Sequence, residues 1–192
     1  ALEEGTLADW AFRLLSPYAK VIVADPRRNR WIAGDQMIDD PTAARKLAHL
    51  LRTGSLKPVH HSASDERQEF KELVQAYHDA TKQATRCKNQ IKSRFRSRAI
   101  ATSGAAVFDP DPDNRAAWLD KLEGKGARYR VGFLLDRLDY LEGQREQLLG
   151  YLRRLARQFP ELQRFQDVPG IGFIRAATFF AFLDTPHRFR TK

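Results

Sequence analysis

Residues 64–98 read SDERQEFKELVQAYHDATKQATRCKNQIKSRFRSR, and this stretch decides the architecture of the chain. Its apolar residues recur at alternating steps of three and four, at Phe70, Leu73, Tyr77, Ala80, Ala84, Cys87 and Ile91. Such a heptad repeat predicts one long helix with a continuous apolar seam. A second seam follows at Val131, Leu134, Leu138, Leu141, Leu148, Leu152, Leu155 and Phe159, with Arg145 as its one polar position. Together the seams predict either an antiparallel helical hairpin or a dimerising coiled coil.

The connector between the two seams contains helix breakers. Gly104 and the segment Asp109-Pro110-Asp111-Pro112 interrupt the first helix, and Asp111-Pro112 is a suitable start for a short one. That short helix carries Trp118, Leu119 and Leu122 and is followed by a loop at 124–126.

The residues before this region alternate between helical and extended patterns. Residues 5–15 predict a helix with Leu7, Trp10, Ala11, Leu14 and Leu15 on one face, and 19–24 predict a buried strand. A weaker strand is predicted at 30–33, a helix from Asp40-Pro41 to Gly54, and an extended piece at 56–60. This order is typical of α/β structure, but two or three short strands make a poor sheet. We therefore expect an incomplete domain.

The last residues predict a helix–hairpin–helix unit. Helices are predicted at 161–165 and 174–183 around the turn Val168-Pro169-Gly170-Ile171-Gly172. Gly170 and Gly172 lack side chains, so backbone N–H groups of the following helix can approach a phosphate closely, and Arg175 adds a charge. The alternative is a turn that only packs two helices.

Composition excludes several classes of protein. With 42% hydrophobic residues the chain is too apolar for disorder, yet its longest apolar runs are too short to cross a bilayer, so no membrane partner is expected. One cysteine excludes an intrachain disulfide and a cysteine zinc site, and we expect a reducing, cytoplasmic location. The predicted fold class is α+β and mostly helical. The predicted domains are 1–62, 63–160 and 161–192.

The net charge of +9 is unevenly distributed, and the densest basic stretch lies between residues 86 and 98. Its six basic residues, with no acid between them, are Arg86, Lys88, Lys92, Arg94, Arg96 and Arg98. Such a cluster favours a nucleic-acid partner, because basic side chains neutralise phosphates. The alternative is a solvated helix face. Phe95, within the cluster, is expected to pack on a helix rather than stack on a base.

Carboxylates are the only plausible catalytic groups. A pair or triad drawn from the N-terminal carboxylates could hold Mg²⁺, which prefers oxygen ligands. The candidates are Glu3, Glu4, Asp25, Asp35, Asp39 and Asp40. The alternatives are a helix cap for Asp40, first-turn helix stabilisation for Glu3 or Glu4, and a turn residue for Asp25.

The other reactive side chains are expected to be structural. His60-His61 could be metal ligands or a proton relay, but surface or strand-end histidines are expected because no third ligand has a helpful spacing. Cys87 is expected to be inert core packing. No Walker-type loop and no G-x-G-x-x-G motif is present, so chemistry that needs ATP or NAD is unsupported.

Several motifs together resemble the insertion sequence 110 family of bacterial transposases. They are Glu3-Glu4-Gly5-Thr6, VIVADPRRNRW (21–31), DDPTAARKLAHLLR (39–52), Lys88-Asn89-Gln90-Ile91 and VPGIGFIRAATFFAFLDTPHRFRTK (168–192). The resemblance covers essentially the whole chain in the order of the family. It implies a recombinase with an N-terminal RNase-H-like (RuvC-like) domain carrying four carboxylates, a coiled-coil middle and a C-terminal domain with a catalytic serine. It also implies Mg²⁺ and a structured guide RNA that pairs with donor and target DNA.

Carried over residue by residue, the resemblance gives only part of an active site. The family glutamate falls on Glu4 or its neighbour Glu3, with Glu4 preferred, and the first aspartate of a D-x-x-D pair falls on Asp40. The second aspartate falls on Ala43, which cannot bind a metal, and Asp39 would point about 100° round the helix from Asp40. The remaining aspartate and the serine are expected before Ala1 and beyond Lys192.

Two main hypotheses follow, and a third, a purely structural coiled-coil adaptor, is weaker because it would not need six unopposed basic residues beside a glycine turn. The first is a transposase or DNA recombinase, incomplete as given, whose chain alone neither cleaves nor joins DNA. Its expected partners are DNA, structured RNA and further copies of itself, paired through the heptad helices. The second is a non-catalytic, dimerising, nucleic-acid-binding remnant.

Overall fold

The computed structural model describes residues 1–29, 31, 40–62, 64–185 and 189. The chain is mostly helical, with a small three-stranded mixed sheet near its N-terminus. It divides into two compact units. Unit 1 is Ala1–Asp65 with the tail from Thr185, and unit 2 is Glu66–Asp184. The first division lies close to the boundary predicted after residue 62, whereas residues 161–184 are part of unit 2.

The sheet of unit 1 consists of three two-residue strands: β1 (Leu2–Glu3), β2 (Val23–Ala24) and β3 (Pro58–Val59). The helix α1 (Ala8–Leu15) connects β1 to β2, and these two strands are parallel, with Leu2 opposite Val23. The strand β3 is antiparallel to β2, with Val23 opposite Val59. The predicted strand at 19–24 is therefore real but shorter, since only Val23 and Ala24 are paired and buried.

The helices of unit 1 leave much of their apolar surface exposed. In α1, Leu7 and Trp10 are 69% and 58% exposed, and Leu14 is also exposed. In α2 (Asp40–Arg52), which begins where the sequence predicts, Ala44 and Leu51 are exposed and Leu47 is only half-buried. Of the strand predicted at 30–33, the structure describes only Trp31, which is helical, and the other three residues lie outside the described range.

A buried asparagine joins the turn after β2 to β3. The side-chain amide of Asn29 donates to the carbonyls of Asp25 (2.8 Å) and Lys57 (2.9 Å), and its oxygen accepts from the Lys57 N–H (2.9 Å). Asp25 itself accepts from the Arg27 N–H at 3.0 Å, so it is the turn residue that the sequence predicts. Because Asn29 is buried, these bonds take the place of hydrogen bonds to water.

Unit 2 is built on two long helices, α3 (Asp65–Arg96) and α5 (Lys125–Leu155), joined through the short α4 (Pro112–Asp120). Ile91 and Phe95 of α3 share a core cluster with Val131 and Leu134 of α5, while Phe70 of α3 shares one with Leu152. The helices therefore run antiparallel, and the predicted hairpin forms within one chain. Phe95 is fully buried and its ring meets Trp118 edge-on at 5.4 Å, as expected for packing.

The same unit closes with α6 (Pro160–Gln166) and α7 (Phe173–Leu183), close to the predicted bounds. Their apolar residues pack with Phe70 and Phe159 around Phe180, in contacts 4.9–5.5 Å between ring centroids. Arg67 lies 4.7 Å from the Phe180 ring centroid, pairs with Glu161 and donates to the carbonyl oxygen of Asp184. This arginine fastens α3 to the ends of α6 and α7.

The seams are thus largely buried inside the hairpin. Of the first seam, Phe70, Ala80, Ala84, Cys87 and Ile91 are buried, and Arg145 in the second is paired with Glu142 at 2.6 Å. The homo-oligomer stays a prediction, and the buried seam residues are not free to make it. Within the described part of the chain, no helix is both long and apolar enough to cross a bilayer.

Candidate nucleic-acid interface

One face of α3 carries two adjacent rows of hydrogen-bond donors. One row has charged and amide side chains at i, i+4 spacing, and the neighbouring row has hydroxyl and amide side chains. We call these eight residues the donor face: Lys82, Arg86, Gln90 and Arg94 in the first row, and Thr81, Thr85, Asn89 and Ser93 in the second. They line a shallow open trough of about 560 Å³, and no carboxylate is among them.

The core of unit 2 fixes the direction of the donor face. Ala84, Cys87, Ile91 and Phe95 are all buried on the opposite side of α3, against α5 and the connector. Since residues three and four apart share a side of a helix, burying this seam leaves the donor face outward. The row from Lys82 to Arg94 spans about 18 Å along the axis of α3.

The six basic residues predicted from the sequence divide into two groups. Lys88 pairs with Glu142 at 2.6 Å, and Lys92 donates to the carbonyl oxygen of Gly104 at 2.9 Å. Both ammonium groups also lie near the Phe108 ring, at 5.8 and 5.2 Å from its centroid. These two lysines hold the hairpin and its connector together, in addition to any role as phosphate ligands.

The four arginines lie further out. Arg96 donates to the Thr102 hydroxyl at 3.3 Å, and Arg98 donates to the carbonyl oxygen of Arg94 at 3.0 Å. Arg86 is exposed and belongs to the donor face. Arg94 also belongs to it, and its Nε atom is buried with no hydrogen-bond partner within the described part of the chain. The sequence reasoning missed the hydroxyl and amide residues beside these arginines, which the i, i+4 spacing of the polar positions would have revealed.

The three residues predicted to contact nucleic acid at the glycine turn lie close together. Gly170 has φ +84°, a conformation that favours glycine, and Gly172 is the N-cap of α7. The Arg175 guanidinium donates to the carbonyl oxygen of Gly170 at 2.9 Å. The arginine therefore lies at the turn, beside the N–H groups at the start of α7.

The predicted carboxylate Glu4 lies beside a histidine. His61 Nε2 is 2.6 Å from Glu4 Oε2, and His61 Nδ1 is in short hydrogen-bond contact with Asp9. The His61 side chain is only 6% exposed and lies two residues after the end of β3, so of the two expected structural roles it has that of a strand-end histidine rather than a surface one. Packing against the Phe12 ring, with centroids 5.5 Å apart, accounts for part of this burial. Asp9 and His61 are 52 residues apart, so no local pattern signals the contact.

The other predicted metal ligands are not seen to join Glu4. Asp40 is exposed in the first turn of α2, and the side chains of Asp35 and Asp39 lie outside the described residues. In the described part of the chain, no three His, Cys, Asp or Glu side chains are arranged to hold a metal ion. Those residues alone therefore do not make a Mg²⁺ site, and the Mg²⁺ site at Glu4 and Asp40 stays a prediction.

Cys87 occupies the core position that its spacing predicts. Its thiol is buried and donates to the carbonyl oxygen of Leu134 at 3.1 Å. Burial raises the pKa of the Cys87 thiol, and nearby Arg137 opposes that shift. A thiol with a raised pKa is a poor nucleophile at neutral pH, so Cys87 is a packing residue rather than a reactive one.

The sequence matches no protein-family model, and comparison with curated proteins gives no match. The resemblance to the transposases therefore rests on the motifs quoted above.

Proposed function

We propose that this chain is a nucleic-acid-binding part of a DNA transposase or recombinase of the insertion sequence 110 kind. The observation that supports nucleic-acid binding is the donor face of α3, which has no carboxylate among its residues and presents three cations and the uncharged donors Asn89, Gln90 and Ser93. The hydroxyl groups of Thr81 and Thr85 already donate to backbone carbonyls, and Lys82 pairs with Asp79 at the edge of the face. The recombinase assignment rests on the resemblance of the sequence motifs.

Polyanions suit this surface better than any single small ligand. The trough is shallow and lined by one helix, so it offers little enclosure for a small molecule. Phosphate oxygens accept hydrogen bonds from guanidinium, amide and hydroxyl groups alike, and half or more of protein–DNA hydrogen bonds are of this kind. A row of donors rising about 6 Å at each i, i+4 step can meet successive phosphates of one strand.

Arg94 adds a more specific reason. Its buried Nε is a donor without an acceptor within the described part of the chain, and such a group costs about 1–3 kcal/mol. A phosphate oxygen would satisfy it if the guanidinium turned outward on binding. The same guanidinium would add a charge-assisted, bidentate contact.

Within the same proposal, unit 1 is part of an RNase-H-like domain, and Glu4 and Asp40 would contribute two of several Mg²⁺ ligands. The parallel β1–α1–β2 connection is compatible with such a fold, although three two-residue strands are far fewer than it needs. The remaining features of the proposal follow the resemblance: DNA and a structured guide RNA as partners, a dimer or higher oligomer, and a cytoplasmic, bacterial setting.

A non-catalytic remnant that keeps only binding is the second candidate. Ala43 stands where the family has a metal-binding aspartate, and Glu4 is already engaged by His61. Both candidates predict that the chain by itself does not nick DNA, so a nicking assay with Mg²⁺ or Mn²⁺ separates them only if nicking is observed. Nicking that is lost in Glu4→Ala and Asp40→Ala would support the recombinase.

Binding is tested with two double variants that remove the same charge. Arg86→Gln with Arg94→Gln alters the donor face, whereas Arg130→Gln with Arg137→Gln removes two exposed arginines of α5. For duplex DNA and for an RNA hairpin, we expect the first pair to raise Kd about tenfold, because two phosphate ligands are removed, and the second less than about threefold. Equal weakening by both pairs would mean that only net charge matters, and the proposal would fail.

A further inference from the structure

A second cationic cavity lies where α5, the 3₁₀ turn Ala156–Gln158, α6 and the start of α7 meet. Its volume is about 570 Å³, within the range of small-ligand sites. Four polar side chains line it, Arg153, Arg157, Gln163 and Gln166, together with the rings of Phe159 and Phe173. No carboxylate is among its lining residues.

The two arginines of this cavity differ from those arginines of unit 2 that are neutralised by a carboxylate. Arg67, Arg115, Arg128 and Arg145 each pair with a carboxylate. Arg153 and Arg157 have no ion-pair partner within the described part of the chain, and the Arg153 guanidinium lies 5.8 Å from the Phe173 ring centroid. Two unneutralised guanidinium groups around one cavity favour an anion, and Arg binds phosphate in a bidentate manner.

The start of α7 strengthens the preference for an anion. Phe173 is the first residue of α7, so the positive end of that helix dipole lies at the cavity. The aromatic rings add an apolar surface, and the amides of Gln163 and Gln166 provide donors and acceptors. A ligand that matches all of these has a phosphate, a flat aromatic face and a polar edge.

We propose that this cavity binds one nucleotide of a single-stranded nucleic acid. Arg153 and Arg157 hold its phosphate, the Phe173 ring contacts the base, and the two glutamines face the base edge. Single-stranded bases are recognised in this way, because they are free to stack on aromatic and guanidinium groups. The inference rests on the proposed function, since it assigns a place to an unpaired nucleotide of the polymer bound at the donor face. A free mononucleotide carries the same chemistry, so the test includes both sources.

The test compares Arg153→Gln with Arg157→Gln against a matched pair, Arg164→Gln with Arg130→Gln, whose exposed arginines lie outside the cavity. The full chain is titrated with a fluorescent single-stranded dodecanucleotide, with the corresponding duplex, and with adenosine monophosphate. We expect the cavity pair to weaken single-strand binding about tenfold and duplex binding less than about twofold, with the matched pair weakening neither by more than about twofold. Adenosine monophosphate should shift the backbone amide signals of Gln163 and Phe173 in the NMR spectrum of the wild-type chain only.

The inference would be overturned if the cavity pair weakened single-strand binding and duplex binding equally. It would also be overturned if adenosine monophosphate still shifted the NMR signals saturably in that variant. Phe173→Leu, which keeps an apolar side chain, should weaken single-strand binding alone; unchanged single-strand binding in this variant would also count against the proposed base contact. Failure of the proposed function looks different, because the wild-type chain would then bind neither polymer. In that case the NMR signal shifts with adenosine monophosphate alone would test whether the cavity binds a nucleotide.

Discussion

The two units of this chain differ in what they bury. In unit 2, α3 and α5 bury their apolar seams against each other and turn polar side chains outward. In unit 1, many apolar residues of α1 and α2 stay exposed, and polar side chains such as Asn29 and His61 are buried instead. Apolar burial is the main source of folding free energy, so the stability of the chain should reside in unit 2. Unit 2 is therefore the stable part of the chain, and it carries the donor face on its surface.

The largest expected effect is in the core of unit 2. Phe95→Ala removes a fully buried ring that packs on Trp118, and it should lower the free energy of unfolding by about 3–5 kcal/mol in urea denaturation. Phe133→Ala on α5 is the control, because that ring is 62% exposed and its removal should cost less than about 0.5 kcal/mol. Similar destabilisation in the two variants would show that the hairpin does not pack as described.

The next effect concerns the arginine that fastens α3 to α6 and α7. Arg67→Ala removes the ion pair with Glu161, the bond to the Asp184 carbonyl and the interaction with the Phe180 ring, and it should cost about 2–3 kcal/mol. Lys82→Ala breaks only the exposed pair with Asp79 and should cost at most about 0.5 kcal/mol. An Arg67→Ala variant as stable as Lys82→Ala would refute this role.

A smaller and strictly local effect is expected in unit 1. Asn29→Ala leaves the Lys57 N–H without its acceptor and removes one of the donors to the Asp25 and Lys57 carbonyls, which keep backbone partners. The loss should destabilise unit 1 by about 1–3 kcal/mol. Hydrogen exchange should accelerate for residues 23–29 and 57–59 but not for the amides of α3 and α5. Acceleration throughout unit 2 would contradict the division of stability between the units. Asn89→Ala, on the donor face, is the control.

The smallest effect depends on pH. Burial raises the pKa of Cys87 above its value in the unfolded chain, which is about 8.5. A group whose pKa is higher when folded stabilises the fold at pH values below the unfolded pKa, and this contribution is lost as the pH rises through the folded value. Wild type should therefore lose more stability than Cys87→Ala between about pH 7 and pH 10, measured by urea denaturation. Equal decreases in stability would remove Cys87 from the alkaline response.

Sequence periodicity predicted unit 2 better than unit 1. The heptad positions from Phe70 to Ile91 depend mainly on one physical effect, apolar burial, so α3 and α5 could be predicted. Whether they pair within one chain or between two chains could not, because both arrangements bury the same seams. The contacts of His61 with Glu4 and Asp9 and of Asn29 with Lys57 join distant residues through polar groups, and no local period signals them. In the candidate interface, the basic residues were found by charge alone. That signal did not separate Lys88, which pairs with Glu142, from Arg86 and Arg94 on the open face.

The most direct test is the salt dependence of nucleic-acid binding, measured for wild type and for the Arg86→Gln, Arg94→Gln variant on one duplex. Removing one phosphate-binding cation should reduce the slope of log K against log salt by about 0.9. The variant should therefore show a slope shallower by about 2, because both guanidinium groups release counterions when they meet phosphates. An unchanged slope would contradict this prediction, since the donor face would then not bind the phosphate backbone.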